Sequence, residues 1–221
     1  MNIKDLRPAK DFAQCFGVKA LVYGPAGTGK TPLINTASRP LLLACEPGLL
    51  SMRNSNVPTW EAYETKKIEE FFTWFFKSDE VKNFDTLAID SSSQMADIYL
   101  KDAEQTNKHG LAAYGEMADN TMRHLRNLYY KKEMHTYVIA KEDYKSIPKR
   151  PAFDGNVLPR DVPHLYDFIL RLAKVNVPGV VGEVLAFQCN NSYDVMARNR
   201  TGNLNDYEEP HFGKLVAKAM A

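Results

Sequence analysis

The sequence predicts an α/β fold: a mostly parallel sheet flanked by helices, with antiparallel strands towards the C-terminus. Short β-rich runs alternate with stretches of helical periodicity through most of the chain, a pattern typical of parallel sheets. The later β-rich runs have short connections, which favour hairpins. The chain has 221 residues, 44% of them apolar, and its prolines and glycines are dispersed without forming a linker. We therefore expect one domain over residues 1–221.

The elements follow in chain order. We expect buried core strands at residues 18–23, 41–45, 86–89 and 136–140. Apolar residues at helical spacing predict helices over residues 61–77 and 117–132. After Arg150 a proline-containing stretch precedes β-like runs at 168–175, 182–189 and 193–198, and a last helix is predicted at 212–220. We expect these later runs to be hairpin neighbours appended to the parallel core.

The charge balance argues against a protein whose whole surface binds a polyanion such as DNA or RNA. The chain has 28 Lys and Arg residues against 27 Asp and Glu, a net charge of +1, so no global field is available to hold a polyanion. Between residues 123 and 150, however, eight basic and three acidic residues give a local charge of +5. A nucleic-acid site would therefore have to be local.

The cysteines and the first residues bear on location. Cys15, Cys45 and Cys189 are far apart and form neither a CxxC pair nor a regular framework, which favours a reducing compartment. The N-terminal residues are charged where a signal peptide is apolar, and no run approaches the ~18 apolar residues of a membrane span. We expect a soluble cytoplasmic protein without a membrane partner.

The strongest motif is a complete GxxxxGK[ST] pattern between a predicted strand and a predicted helix. Its residues are Gly24, Pro25, Ala26, Gly27, Thr28, Gly29, Lys30 and Thr31. Glycines let backbone N–H groups approach phosphate oxygens, Lys30 adds a positive charge for the β and γ phosphates, and the Thr31 hydroxyl is suited to Mg²⁺. Pro32 is tolerable because the first helical turn has free N–H groups. The motif predicts binding of ATP with Mg²⁺.

Two acidic residues follow neighbouring predicted strands. Asp90 ends the strand at 86–89 and is predicted to contact Mg²⁺ at the same sheet edge as Thr31, in the Walker B arrangement. The alternative is an Asp that caps the helix starting near Ser92. Glu46 follows the strand after the phosphate loop and could orient an attacking water; its alternative is a surface Glu before the turn at Pro47.

The order of phosphate loop, strand ending in Glu and strand ending in Asp resembles the RecA-like ATPases. The segments GPAGTGKT, LLLACEPG, FDTLAIDSSSQM, TYVIAKED and RNRTG look like bacteriophage-encoded nucleotide-binding proteins of that type, some of which act as single-strand annealing proteins in recombination. The resemblance runs from about residue 18 to the end. It implies a RecA-like P-loop NTPase core that binds ATP and works as a homo-oligomer, a ring or a filament, on single-stranded DNA in the host cytoplasm.

The resemblance also suggests roles for basic residues. RecA-like assemblies bring a basic residue from the neighbouring subunit to the γ phosphate, and Arg198 and Arg200 resemble that pair; the alternative is a solvated edge strand. The family often places a polar sensor after the fourth core strand, where this chain has Lys141, Glu142 and Asp143 instead.

The loop after that strand enters the DNA channel in RecA-like proteins, and Tyr144 and Phe153 could stack on bases. The predicted DNA-binding residues are Lys141, Lys145, Lys149 and Arg150. The alternative is an amphipathic helix with a solvated basic face followed by an ordinary loop.

Two other functions remain open. A P-loop kinase for nucleotides or other small molecules would share the phosphate loop but needs an arginine-rich lid, for which Arg150 and Arg160 are the candidates. A nucleotide-dependent assembly switch would bind ATP without needing Glu46. The five histidines lack metal-ligand spacing and are assigned no site.

Overall fold

The computed structural model describes residues 6–13, 16–107 and 109–221. Cys15 and the first five residues lie outside these ranges, whereas Cys45 and Cys189 are buried free thiols. Burial raises the pKa of the Cys189 thiol to about 12 and raises that of Cys45 further. Among the described residues, no helix is both long enough and apolar enough to cross a membrane.

The elements alternate as predicted over the first part of the chain. The strands are β1 (Lys19–Tyr23), β2 (Pro40–Ala44), β3 (Thr59–Glu61), β4 (Thr86–Asp90), β5 (His135–Ile139), β6 (Lys141–Asp143), β7 (Arg150–Ala152), β8 (Phe168–Asn176), β9 (Glu183–Gln188), β10 (Arg198–Asn199) and β11 (Tyr207–Glu208). The α-helices are α1 (Ala9–Ala13), α2 (Thr65–Lys77), α3 (Ser92–Thr106), α4 (Gly110–Tyr130), α5 (Val157–Asp161) and α6 (Phe212–Ala219). Short 3₁₀ helices lie at Pro32–Thr36, Leu49–Met52, Asp79–Asn83 and Val162–Leu165.

One nine-stranded sheet organises these elements. Its order is β11-β9-β8-β1-β5-β4-β2-β3, with β10 paired to β8. The six strands from β8 to β3 are mutually parallel, so their carboxyl ends meet at one edge, here called the carboxyl edge, and their amino ends at the amino edge. Strand β5 lies between the strand before the phosphate loop and the strand that ends at Asp90. The predicted α/β architecture, a mostly parallel sheet flanked by helices with C-terminal antiparallel strands, is confirmed.

The expectation that all later runs form hairpins beside the core is partly wrong. Strand β8 pairs in parallel with β1 and belongs to the core, whereas β9 is antiparallel to β8 as expected. Of the run at 193–198, only Arg198 forms a strand, the two-residue β10 with Asn199. The chain can return in parallel because the segment between β5 and β8, with the β6–β7 hairpin and two short helices, is long enough for a crossover.

The two faces of the sheet are covered unequally. Helices α2, α3 and α4 pack on one face and bury an aromatic cluster in which Phe71 and Phe75 stack at 5.6 Å. The other face is covered by α6, whose Phe212 ring meets Tyr137 edge-on at 5.0 Å. The helices predicted at 61–77, 117–132 and 212–220 are confirmed as α2, α4 and α6, with ends that differ by up to seven residues.

The helix after the phosphate loop is much shorter than a typical crossover helix. It is a 3₁₀ helix over Pro32–Thr36, and β2 begins only four residues later. Pro40 disfavours helical backbone at Arg39, which adopts a φ of +36°. The Thr36 hydroxyl accepts a hydrogen bond from the backbone N–H of Phe212 (2.8 Å), so α6 covers the sheet where a longer helix would otherwise lie.

Candidate functional site

The phosphate loop joins β1 to the 3₁₀ helix at the carboxyl edge. Gly24, Gly27 and Gly29 all have positive φ, which L-residues with side chains rarely adopt. At Gly24 a Cβ atom would also lie 2.1 Å from the carbonyl oxygen of Leu172 on β8. Glycine is therefore required there both for its backbone conformation and for the close approach of β8.

Lys30 lies across this loop. Its ammonium donates hydrogen bonds to the carbonyl oxygens of Gly24 and Pro25, each at 2.8 Å. Burial lowers the pKa of Lys30, while the negative charges of Asp90, Glu142 and Glu46 raise it. Lys30 is thus a partly buried cation among three carboxylates.

The two predicted Mg²⁺ ligands contact each other. The Thr31 hydroxyl donates to Asp90 Oδ2 at 2.5 Å, as expected for residues on a shared metal site. Burial is the main influence on Asp90 and raises its pKa. No cluster of three His, Cys, Asp or Glu residues able to hold a metal was found among the described residues. One hydroxyl and one carboxylate fit Mg²⁺, which is usually held by one or two protein oxygens, waters and substrate phosphates.

Asp90 does not cap helix α3. The cap is Ser91, whose hydroxyl accepts from the Gln94 backbone N–H at 3.2 Å. The same hydroxyl donates to Glu46 Oε1 at 2.5 Å. Because β2 and β4 are neighbours with Ala44 opposite Asp90, Glu46 and Asp90 reach the same edge. The capping interpretation of Asp90 is therefore wrong, and Glu46 is held by a direct contact rather than free on the surface.

These groups line one cavity of about 600 Å³ at the carboxyl edge. The phosphate loop lines it, together with Glu46 and Asp90. The β6–β7 hairpin contributes Glu142 and Tyr144 to the same lining. The remaining loop residues have structural contacts: the Thr28 hydroxyl donates to Pro25 O at 2.9 Å, and Pro32 begins the 3₁₀ helix.

Arg198 and Arg200 lie elsewhere. They are beside the start of β8, at the amino edge, because Arg198 pairs with Ile169. The Arg198 guanidinium donates to the carbonyl oxygens of Pro163 (3.2 Å) and Tyr166 (3.3 Å). Arg200 forms an ion pair with Asp167 at 3.0 Å. The structure does not bring either arginine to the phosphate loop of its own chain.

The four predicted DNA-binding residues divide into two pairs. Lys141 donates to Gln94 (2.9 Å) and Asp97 (2.8 Å) of α3, and Arg150 pairs with Asp143 at 3.2 Å across the hairpin. Lys145 and Lys149 lie at the hairpin tip, close to the exposed Tyr144: Lys145 Nζ is 5.9 Å from the ring centroid, and Lys149 Nζ donates to the Tyr144 carbonyl oxygen. The basic residues at the base of the hairpin are thus paired with acidic residues, whereas the two lysines at its tip lie against Tyr144.

Sequence reasoning missed Arg171 and the role of Ser91. Arg171 is on β8 opposite Tyr23, the residue before the phosphate loop, and pairs with Glu142. No motif marks it, and its place depends on β8 joining the parallel core. Ser91 could have been found as the N-cap residue before a helical run.

The fold and the site define a P-loop nucleotide-binding protein of the α/β class. The family model for the AAA domain matches residues 17–201, so the chain belongs to the AAA domain family. The chain is also similar to the crystal structure of a KaiC-like protein from the hyperthermophilic archaeon Pyrococcus horikoshii, with 11% identity over 78% of each chain and a TM-score of 0.49. A search of curated proteins found no match.

Proposed function

We propose that this protein is an Mg²⁺-dependent ATPase that binds single-stranded DNA and promotes annealing or recombination in a bacteriophage context. The observation that carries the ATPase part is the convergence of Lys30, the Thr31–Asp90 pair and the Glu46–Ser91 pair on one cavity. We further propose that residues 1–221 act as one RecA-like ATPase domain, working as a homo-oligomeric ring or filament in the host cytoplasm.

Each of these residues has a distinct task in hydrolysis. The loop N–H groups and Lys30 bind and orient the phosphates, and Thr31 and Asp90 would hold Mg²⁺, which supplies charge neutralisation when bound. Glu46 accepts a hydrogen bond from an attacking water and orients it, and it can take up the proton. Ser91 keeps Glu46 directed into the cavity, because its own hydroxyl is fixed by the α3 N-terminus.

The DNA part rests on the hairpin tip and the charge of its segment. Tyr144 is 71% exposed and lies beside Lys145, while Lys149 is on the same tip. Aromatic rings with interleaved lysines suit single strands, since each base can stack while the phosphates meet positive charge. Tyr144 also lines the nucleotide cavity, so one residue borders both proposed ligands.

A gel shift with a short single-stranded oligonucleotide tests this part. We expect salt-dependent binding that K145A/K149A weakens, because phosphate contacts release counterions. The matched control is K67A/K82A, whose lysines lie in local ion pairs away from the hairpin. Absence of binding at ~50 mM salt, or equal losses in both double variants, would remove DNA from the proposal.

Arg198 and Arg200 can reach a terminal phosphate only in a neighbouring subunit, since they lie at the amino edge of their own chain. We propose that they act in this way, with Arg200 the more exposed of the two. Mixing R200A with K30A tests this proposal. Each variant should be inactive alone, and mixed assemblies should regain ATP turnover. In the mixture, R200A supplies an intact phosphate loop with Lys30, and K30A supplies Arg200 from the neighbouring subunit. If both variants are inactive alone and the mixture stays inactive, the role in trans is wrong.

The alternatives make different predictions. The proposed kinase lid has little support, because Arg150 pairs with Asp143 and Arg160 pairs with Asp161 at 2.6 Å. Transfer of phosphate to a nucleoside monophosphate without release to water would nevertheless favour a kinase. An assembly switch would keep its biological activity in E46Q and lose it in K30A. ATP turnover measured with and without single-stranded DNA, alongside mass in solution, separates all three functions.

A further inference from the structure

The ion pair between Arg171 and Glu142 lies beside the phosphate loop and has no role in the mechanism proposed above. Arg171 Nε donates to Glu142 Oε2 at 2.7 Å, and its Nη2 approaches Oε1 at 3.4 Å. The third nitrogen, Nη1, donates to Gln188 Oε1 at 2.7 Å. The two charged side chains are only 16% and 7% exposed.

Two elements that border the cavity bring this pair together. Arg171 is on β8 directly opposite Tyr23, so its backbone is one residue away from the start of the phosphate loop. Glu142 is on β6, immediately after the core strand β5, and its side chain lines the cavity that contains Lys30. The guanidinium is therefore separated from the cavity by a single carboxylate.

A contribution to stability does not by itself explain this buried ion pair. Removing two charges from water costs several kcal/mol per ion, and apolar replacements of buried ion pairs are often equally stable or more so. The lining of the cavity also has three carboxylates, Glu46, Asp90 and Glu142, against two lysines, Lys30 and Lys141. A triphosphate entering this cavity would be repelled by Glu142 and attracted by Arg171.

We propose that Arg171 is a further phosphate-binding residue that acts within its own chain, exchanging Glu142 for the terminal phosphate of ATP. The proposal rests on the proposed ATP binding. A guanidinium suits both partners, because its planar fork binds carboxylates and phosphates alike with two parallel hydrogen bonds. Nε and Nη2 form the side that faces Glu142, so the exchange leaves the Gln188 contact of Nη1 in place.

The terminal phosphate of ATP is the expected partner of Arg171 because Glu142, its present partner, lies in the cavity that contains Lys30. Lys30 of a phosphate loop reaches the β and γ phosphates, and Glu142 lines the same cavity as Lys30. ADP lacks the γ phosphate, so Arg171 should discriminate between the two nucleotides. Release of Glu142 would also break one of the contacts that hold the β6–β7 hairpin, another being the Lys141–Asp97 ion pair.

The test is equilibrium binding of Mg²⁺-ATP and Mg²⁺-ADP, measured by calorimetry. R171M should weaken ATP binding about 10- to 100-fold, the range for one charge-assisted contact, and change ADP binding far less. R171K, which keeps the charge but not the fork, should fall between R171M and the wild type. E142Q removes the competing carboxylate and should strengthen ATP binding several-fold.

R171M leaves Glu142 buried without its partner and could fail to fold. The double variant E142Q/R171M removes both charges at similar volume, and it should fold and still lose the preference for ATP over ADP. The matched control is R160M, whose arginine pairs with Asp161 away from the cavity. A folded double variant with the wild-type ratio of ATP to ADP affinity would overturn this proposal. If instead the wild type binds neither nucleotide, the proposed function itself fails.

Discussion

The two edges of the parallel sheet both carry charged side chains, but they use them in different ways. At the amino edge, Arg39 pairs with Asp85, Arg200 pairs with Asp167, and the buried Lys19 donates to the carbonyl oxygens of Lys131 (2.8 Å) and Met134 (2.5 Å). Each charge is satisfied by a neighbouring loop. At the carboxyl edge, Lys30 and several carboxylates instead converge on a cavity.

This comparison suggests that charged side chains at the amino edge stabilise the fold, whereas those at the carboxyl edge bind a ligand. Parallel strands place all their carboxyl ends together, so residues from distant parts of the sequence meet there around a ligand. The amino edge has ion pairs that are complete within the chain. Substitutions of charged residues at the carboxyl edge should therefore change binding or turnover. Those at the amino edge should change stability, apart from Arg198 and Arg200, for which a role in the neighbouring subunit is proposed.

The largest effect is expected for E46Q. Loss of the base should lower ATP turnover about 10²- to 10⁴-fold, the usual contribution of general base catalysis. Binding of Mg²⁺-ATP and the thermal midpoint should stay close to those of the wild type, because glutamine keeps the shape and can still contact Ser91. The matched control is E209Q, an exposed carboxylate paired with Lys214. Equal turnover in E46Q and E209Q would contradict the role of Glu46.

The next effect concerns the junction between β1 and β8. G24A should destabilise the protein by about 3 kcal/mol, because the new Cβ would collide with the Leu172 carbonyl oxygen at an unfavourable φ. G48A is the control, since no atom lies within 4 Å of its added Cβ and its φ is −76°. Urea unfolding of both variants measures the difference. A wild-type midpoint for G24A would mean that β8 does not approach the loop in this way.

Lys19 should affect stability in a pH-dependent manner. Burial lowers the pKa of Lys19 to about 8, below its value of ~10.4 in unfolded chains. Between these pH values the unfolded chain binds more protons than the native chain, so this residue makes stability rise with pH, by at most about 1.4 kcal/mol per unit.

The variant K19M removes this dependence while leaving the carboxyl edge intact. The free energy of unfolding of the wild type should therefore gain about 2 kcal/mol relative to K19M between pH 8 and pH 10. ATP affinity of folded K19M should be unchanged. A constant difference across this pH range would contradict the account of Lys19, and a selective loss of ATP binding would contradict the separation of the two edges.

The smallest effect is expected for Ser91. S91A should lower turnover about tenfold, equivalent to about 1.4 kcal/mol for a hydrogen bond to a charged group, and S91T should restore it. Because Ser91 acts through Glu46, S91A should add little when combined with E46Q. Full additivity of the two losses would show that Ser91 does not position Glu46.

The residues at the centre of the candidate site could be predicted from the sequence. Lys30, Thr31, Asp90 and Glu46 belong to local motifs at the ends of strands, and parallel strands bring such ends together whatever the details of packing. The shortened helix after Thr31 was not predicted, because its end depends on the tertiary contact with α6.

The places of other residues depend on long-range topology. The direction and register of β10 put Arg198 and Arg200 at the amino edge, so their contact with a phosphate of the neighbouring subunit stays a prediction. Arg171 escaped notice because its partner Glu142 is distant in sequence and because β8 was expected in a hairpin layer. No local pattern encodes which strand lies beside β1.

The central claim is that the carboxyl edge binds ATP through the phosphate loop. The most direct test is Mg²⁺-ATP binding by the wild type and by K30A, with K67A as the control from an exposed ion pair. The account predicts saturable binding that K67A retains and that K30A weakens about 10- to 100-fold, with both variants folded. Equal ATP affinity in K30A and the wild type, or no ATP binding by either, would contradict it.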